Sequence, residues 1–293
     1  MRFTEIGQQL RAYRLESGLR AEEIAARLGV SRAALYRYEK GEVIKLDTIQ
    51  RLAELLKISP LSLLGIGVEY YNRPVGYLER ARQAEETAEQ ILMLTGPTAY
   101  LTTSDSYDQA LSASFEDAAE LAGGDRLAAR AATEQILGIL AARKRAYGLR
   151  KPNIIAMVTA NRLRAFLDHG VAGGVALPDR TRRMCREVAA VEAEHIAQMM
   201  EAEPMGLQFG LLPQATPSGA FKIIRARDRA TLMVNPFPTD TYPSAAPGVA
   251  MITAADEAIA AHQRVAESFW RAAVKGSTAA AAVRQLIAER RPT

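Results

Sequence analysis

The sequence predicts a mainly helical chain: five short N-terminal helices forming a helix-turn-helix unit, then a larger α+β region with long helices and a small antiparallel sheet. Three observations carry that expectation. Up to about residue 65, apolar residues recur at helical spacing, with glycine or serine between the runs. Beyond residue 77, long amphipathic stretches alternate with glycine and proline breaks. After Pro152, five short apolar runs sit between glycines and prolines.

The 293-residue length exceeds the usual size of one domain, so two are expected. Apolar residues at 48% and charged residues at 24% are enough to build cores. No stretch approaches the roughly 18–20 apolar residues of a membrane span, and the N-terminus lacks a signal-peptide core. The single cysteine, Cys185, excludes an internal disulfide and a multi-cysteine metal site. A soluble, cytoplasmic chain is expected, with no membrane partner. A net charge of +4 is too mild to demand a polyanion.

The first helix spans about Thr4 to Glu16, with Ile6, Leu10 and Tyr13 inward, Thr4 as its N-cap and Gly18 at its end. A second runs from Ala21 to Leu28 and stops at Gly29. Ser31 then caps a third, which continues to Lys40. Two helices of about eight residues joined by a short glycine-containing turn make a helix-turn-helix. A fourth covers Leu46 to Leu56, and Ser59-Pro60 opens a fifth.

G-L-x-x-E-E-I-A-x-x-L-G-V-S-x-x-x-L-x-R-Y-E-K-G, residues 18–41, followed by T-I-Q-R-L-A-E-L-L-K-I-S-P-L-S-L-L, residues 48–64, resembles the Xre-type regulators that include Cro and the phage repressors. The resemblance covers five successive helices. It implies double-stranded DNA as a partner, with the third helix in the major groove. Carried onto this chain, Arg32, Ala33 and Ala34 behind the cap Ser31 would face the bases, and Arg37 would reach a base or a flanking phosphate. Arg32 would offer guanine O6 and N7 two hydrogen bonds, and an alanine could touch a thymine methyl. Tyr36 and Lys45 would meet phosphate or sugar. Where the family usually has Thr or Ser and then Gln, this chain has Arg20 and Ala21, and Arg20 would neutralise a phosphate.

The expected organisation is a DNA-binding unit at 1–70, a linker at 71–76, a helical dimerisation region at 77–150 and an α+β effector-binding or sensing region at 151–293. A long helix is predicted over Tyr77–Leu94, with Arg80, Arg82, Glu85, Glu86 and Glu89 outward. Further helices are predicted from Asp125, to Gly170, from Pro178 and from Asp256, and β-like runs at 153–159, 206–212, 220–225, 230–234 and 248–253. In layout this half is similar to the uncharacterised domain of actinobacterial Xre-type regulators. The matching pieces lie around Glu85-Glu86, Leu101–Leu111 and residues 210–224.

Chemical motifs are few. Glu192-Ala-Glu-His195 is half of a di-iron signature without its second half, so ordinary salt-bridged surface residues are expected and no metal. Cys185 lies among arginines that could lower its pKa, but a buried core thiol is the commoner arrangement. Gly170, Gly173 and Gly174 do not follow a strand in dinucleotide-binding spacing. Met199, Met200, Met205, Met233 and Met251 are expected in the core, with an apolar pocket as the alternative. The expectation is a sequence-specific transcription regulator, a homodimer with a small-molecule effector, needing no cofactor and no catalytic residue. The alternatives are a protein-interaction adaptor or an enzyme fused to a helix-turn-helix head.

Overall fold

A computed structural model describes residues 3–94, 96–121, 125–171, 173, 175–214, 219–235, 237 and 248–290. The five expected helices are present as α1 (Phe3–Ser17), α2 (Ala21–Leu28), α3 (Arg32–Glu39), α4 (Leu46–Leu56) and α5 (Pro60–Leu63). Leu10, Ile24, Leu35 and Leu52 are fully buried between them. Gly29 ends α2 at φ 69°, a conformation that costs glycine nothing, and lets the chain turn within two residues into α3. Helix α1 starts at Phe3, so Thr4 lies in its first turn rather than at the cap.

The chain continues through β1 (Val68–Tyr71), α6 (Pro74–Glu85) and β2 (Gln90–Leu94), then a 3-10 turn at Tyr100–Thr102, α7 (Asp105–Leu121) and α8 (Arg126–Arg150). After these come β3 (Asn153–Thr159), α9 (Ala160–His169), α10 (Asp179–Ala202), β4 (Leu207–Leu212), β5 (Phe221–Arg225), β6 (Ala230–Val234) and β7 (Ala250–Thr253). Helices α11 (Asp256–Ala272) and α12 (Gly276–Arg290) close the fold. It is a helical N-terminal region followed by a larger α+β region with long helices, as expected. The expected breaks at Gly123-Gly124, Pro217 and Pro236, together with Gly174, lie outside the described residues.

The helix predicted over Tyr77–Leu94 is in fact two elements. It ends at Glu85, and Ile91 and Leu92 belong to the strand β2. The four-residue apolar run Ile91–Leu94, buried on both faces, has no period of its own, so helix and strand could not be separated there by pattern. Arg80 and Glu85, expected outward, are buried, as are ten of the twelve residues of α6. That helix therefore presents little free surface to a second copy. β1 and α12 carry no prediction from the sequence, and β1 lies at the boundary where a linker was expected.

The strands form one seven-stranded sheet in the order β1-β7-β6-β5-β2-β3-β4. It is larger than expected and mixed: β2, β3 and β4 are parallel, and the remaining pairs are antiparallel. Parallel neighbours need helical crossovers. Helices α7 and α8 supply one and α9 and α10 the other, so the long helices between apolar runs were the signal for parallel pairing. Alternate residues point to opposite faces. Ile91, Met93, Ile154, Ala156 and Val158 join the large core that includes α6, α7 and α10. Leu92, Leu94, Met157, Phe221 and Ile223 meet Ile259 and Ala266 of α11 in a smaller one.

The N-terminal helices are fastened to this sheet by a stacked ring pair and by polar contacts, those of Glu69 buried. Tyr13 of α1 stacks on Tyr71 of β1 with ring centroids 5.2 Å apart. Glu16 accepts the backbone N–H groups of Asn72 at 2.7 Å and Arg73 at 3.0 Å, groups that the start of α6 would otherwise leave unpaired. Arg80 grips Glu69 of β1 through two hydrogen bonds of 2.8 and 2.9 Å, and Glu69 also accepts from Gln9 and Tyr71. Burial pushes the Glu69 carboxyl up, and these partners more than reverse it, leaving it below the usual range. Arg11 of α1 pairs with Glu79 at 2.8 Å.

Candidate nucleic-acid interface

The site is assembled at the start of α3. The Ser31 hydroxyl accepts the Ala34 N–H at 3.1 Å, satisfying one of the first orphan donors and fixing where the helix begins. From that origin, Arg32, Ala33 and Arg37 are exposed, whereas Leu35 is fully buried and Ala34 is only 9% exposed. Of the two alanines proposed for a base, Ala33 therefore presents a methyl group outward and Ala34 faces the core. Tyr36 is half-buried, and its ring receives the Arg32 guanidinium at 5.3 Å from the centroid. Lys45 is exposed at the N-cap of α4.

Arg20, Arg32 and Arg37 each have an acidic partner on the surface. Arg32 pairs with Glu22 at 2.7 Å, Arg37 with Glu42 at 3.0 Å and Arg20 with Glu23 at 3.3 Å. Such pairs are solvated on both sides and exchange partners at little cost. A DNA phosphate carries the same single charge and also accepts two hydrogen bonds from a guanidinium, and the dense row of backbone charges lets it compete for that group. The sequence offered the arginines but not these glutamates, whose proximity depends on how α2 and the turn after α3 are packed. At Arg20 only the returning half of a capping box remains: Glu23 accepts the Arg20 backbone N–H at 2.9 Å, and the Arg20 side chain caps no N–H of the first turn of α2.

The remaining singled-out residues do other work. Cys185 is fully buried, its thiol 3.9 Å from the Ala110 carbonyl. Gly170 packs against it: a Cβ there would lie 2.7 Å from the Cys185 carbonyl carbon. Glu192 is buried rather than a surface ion. It accepts the N–H of Ser104 at 3.0 Å and the Ser104 hydroxyl, pinning the turn before α7. His195 lies 3.1 Å from the Thr102 carbonyl in the same turn. Met200 and Met233 are buried, Met205 is fully exposed and Met251 is partly so, hence the methionines do not gather into one pocket. Among the described residues no His, Cys, Asp and Glu group is placed to hold a metal ion. No helix among them is long and apolar enough to cross a membrane.

Residues 5–63 match the family model described as a helix-turn-helix domain. The N-terminal region is a helix-turn-helix domain. No curated protein matches the chain. A solved structure of TrmBL2, an archaeal chromatin protein with a novel mode of DNA binding, aligns over 78% of this chain and 61% of its own. At 11% identity and a TM-score of 0.34 that likeness assigns neither fold nor function. The chain thus spans less than two thirds of that structure's length.

Proposed function

We propose that this chain is a sequence-specific DNA-binding regulator that reads the major groove with the first turn of α3. The observation that carries the reading is the exposure of Arg32, Ala33 and Arg37 on one face of a capped helix inside a matched helix-turn-helix domain. Arg32 addresses a guanine edge, Ala33 a thymine methyl, and Arg20, Tyr36, Arg37 and Lys45 the flanking backbone. Ser31 sets the helix origin that places them.

One such helix spans only a few base pairs, so the regulator acts as a homodimer on a roughly palindromic operator with half-sites about 34 Å apart. The dimer surface is the outer side of α8, where Leu127 and Leu149 are largely exposed. The larger α+β region, 151–293 together with the elements of 77–150 packed on it, holds the effector, and the unit of 1–70 holds the DNA.

Footprinting on the chain's own upstream region at two salt concentrations tests this. The expected result is two protected half-sites whose occupancy falls steeply with salt, as phosphate contacts release counterions. Well-folded dimer giving no protection at either concentration would sink the reading and favour an adaptor that binds protein.

A further inference from the structure

We infer that the buried cluster of Arg143, Lys222, Glu85 and Tyr77 is a binding site for a small monoanion of the carboxylate class. Its role as the effector site rests on the regulator reading above; the site itself does not.

Two cations share one carboxylate here. Arg143 of α8 donates to Glu85 at 2.8 and 2.9 Å, and Lys222 of β5 donates to the same group at 2.7 Å. The side chains of all three are 6% exposed or less. The neighbouring pair, Lys144 and Asp108, neutralise each other at 2.6 Å. The cluster therefore retains one buried positive charge without a counter-charge, an arrangement costly unless something compensates it.

Two donors of the cluster are left over. The Arg143 Nη1 and the Tyr77 hydroxyl are buried and have no hydrogen-bond partner among the described residues. Burial raises the Tyr77 hydroxyl's pKa, and the Arg143 charge is close enough to oppose that rise. Buried donors left unsatisfied call for a water or an ion. A carboxylate supplies acceptors for such donors and also cancels the surplus charge, whereas water supplies only an acceptor. Two aromatic contacts flank the cluster: the Tyr100 ring lies 5.3 Å from the Arg143 guanidinium, and the Phe237 ring 6.1 Å from that of Tyr77.

The position is also apt. Lys222 stands opposite Met93, the residue before the last of β2, at the carboxyl end of the parallel strands. That is the end at which open α/β sheets bind ligands. Glu85 is the final residue of α6, and the same helix brings Glu79 to Arg11 and Arg80 to Glu69, the contacts that hold the helix-turn-helix domain. An anion held on the spare Arg143 donor bears on the end of the helix that positions α1.

The test uses the full chain, with sodium acetate as probe, acetamide as its neutral analogue and sodium chloride at matched ionic strength. Acetate is expected to raise the melting temperature saturably beyond chloride, and acetamide to have no such effect. Tyr77→Phe removes only the unpartnered hydroxyl. It is expected to melt no lower than the parent without acetate and to bind acetate about tenfold more weakly. Acetate acting no better than chloride, or Tyr77→Phe binding it as the parent does, overturns the site. Footprinting with and without saturating acetate separates the two proposals. Saturable acetate binding without any footprint removes the regulator reading and keeps the site. A footprint with no acetate saturation does the reverse, and a footprint indifferent to bound acetate removes only the effector role.

Discussion

The arginines at the start of α3 and those of α6 and α8 have the same chemistry and opposite uses. Arg32 and Arg37 meet Glu22 and Glu42 in water, in pairs that a competing anion displaces. Arg80 and Arg143 meet Glu69 and Glu85 where almost no water reaches, and each binds its carboxylate through two hydrogen bonds. Burial is costly for both partners, so losing one leaves the other stranded. Exposure, not residue type, separates an arginine whose carboxylate partner is readily exchanged from one whose ion pair holds the fold.

The comparison breaks most visibly at Glu85. Glu85→Ala strands Arg143 and Lys222, and urea denaturation should show a loss of about 3–5 kcal/mol; a loss below 1 kcal/mol would mean the cluster is not buried in this way. Its pH dependence has a definite sign. Burial raises the Glu85 carboxyl, but Arg143 and Lys222 bring it down to about 2. Its contribution is therefore complete above the unfolded value of about 4.3 and is lost as pH falls from there toward 2. In Glu85→Ala that part of the acid limb should flatten.

Arg80→Ala removes the grip on Glu69 and should cost about 3 kcal/mol. It should also loosen the helix-turn-helix domain from the sheet, read as faster proteolysis between α5 and β1 while the domain's own helices persist in hydrogen exchange. Unchanged cleavage would place the fastening elsewhere, on the Tyr13–Tyr71 stack or Glu16. Ser31→Ala removes the α3 cap and should cost about 1 kcal/mol in thermal or chemical unfolding. At the far end of the scale, Arg32→Ala should leave the unfolding midpoint unchanged. Its effect belongs in a binding-site selection, as about a tenfold loss of preference at one base position and little change elsewhere. Preference retained at every position would show that another residue reads the base.

Much of the candidate interface was legible in the residues because it is local. The Gly29 turn, the Ser31 cap and the apolar spacing of Ile24, Leu28 and Leu35 are set within a few residues of one another. The strands 153–159, 207–212, 221–225, 230–234 and 250–253 were also readable as apolar runs between breakers. Their partners were not, since strand pairing joins segments far apart in sequence.

The sequence by itself determined the five N-terminal helices, the α+β character of the rest and the exposed basic face of α3, through periodicity and capping that act over one or two turns. Tertiary structure alone decided that Ala34 faces inward, that β2 is a central strand and that Arg80, Glu85 and Lys222 are buried ions. Charged residues on an amphipathic helix look alike in sequence whether they meet water or an opposite charge. The difference lies in a partner 11, 58 or 137 residues away, which only packing brings within hydrogen-bonding distance.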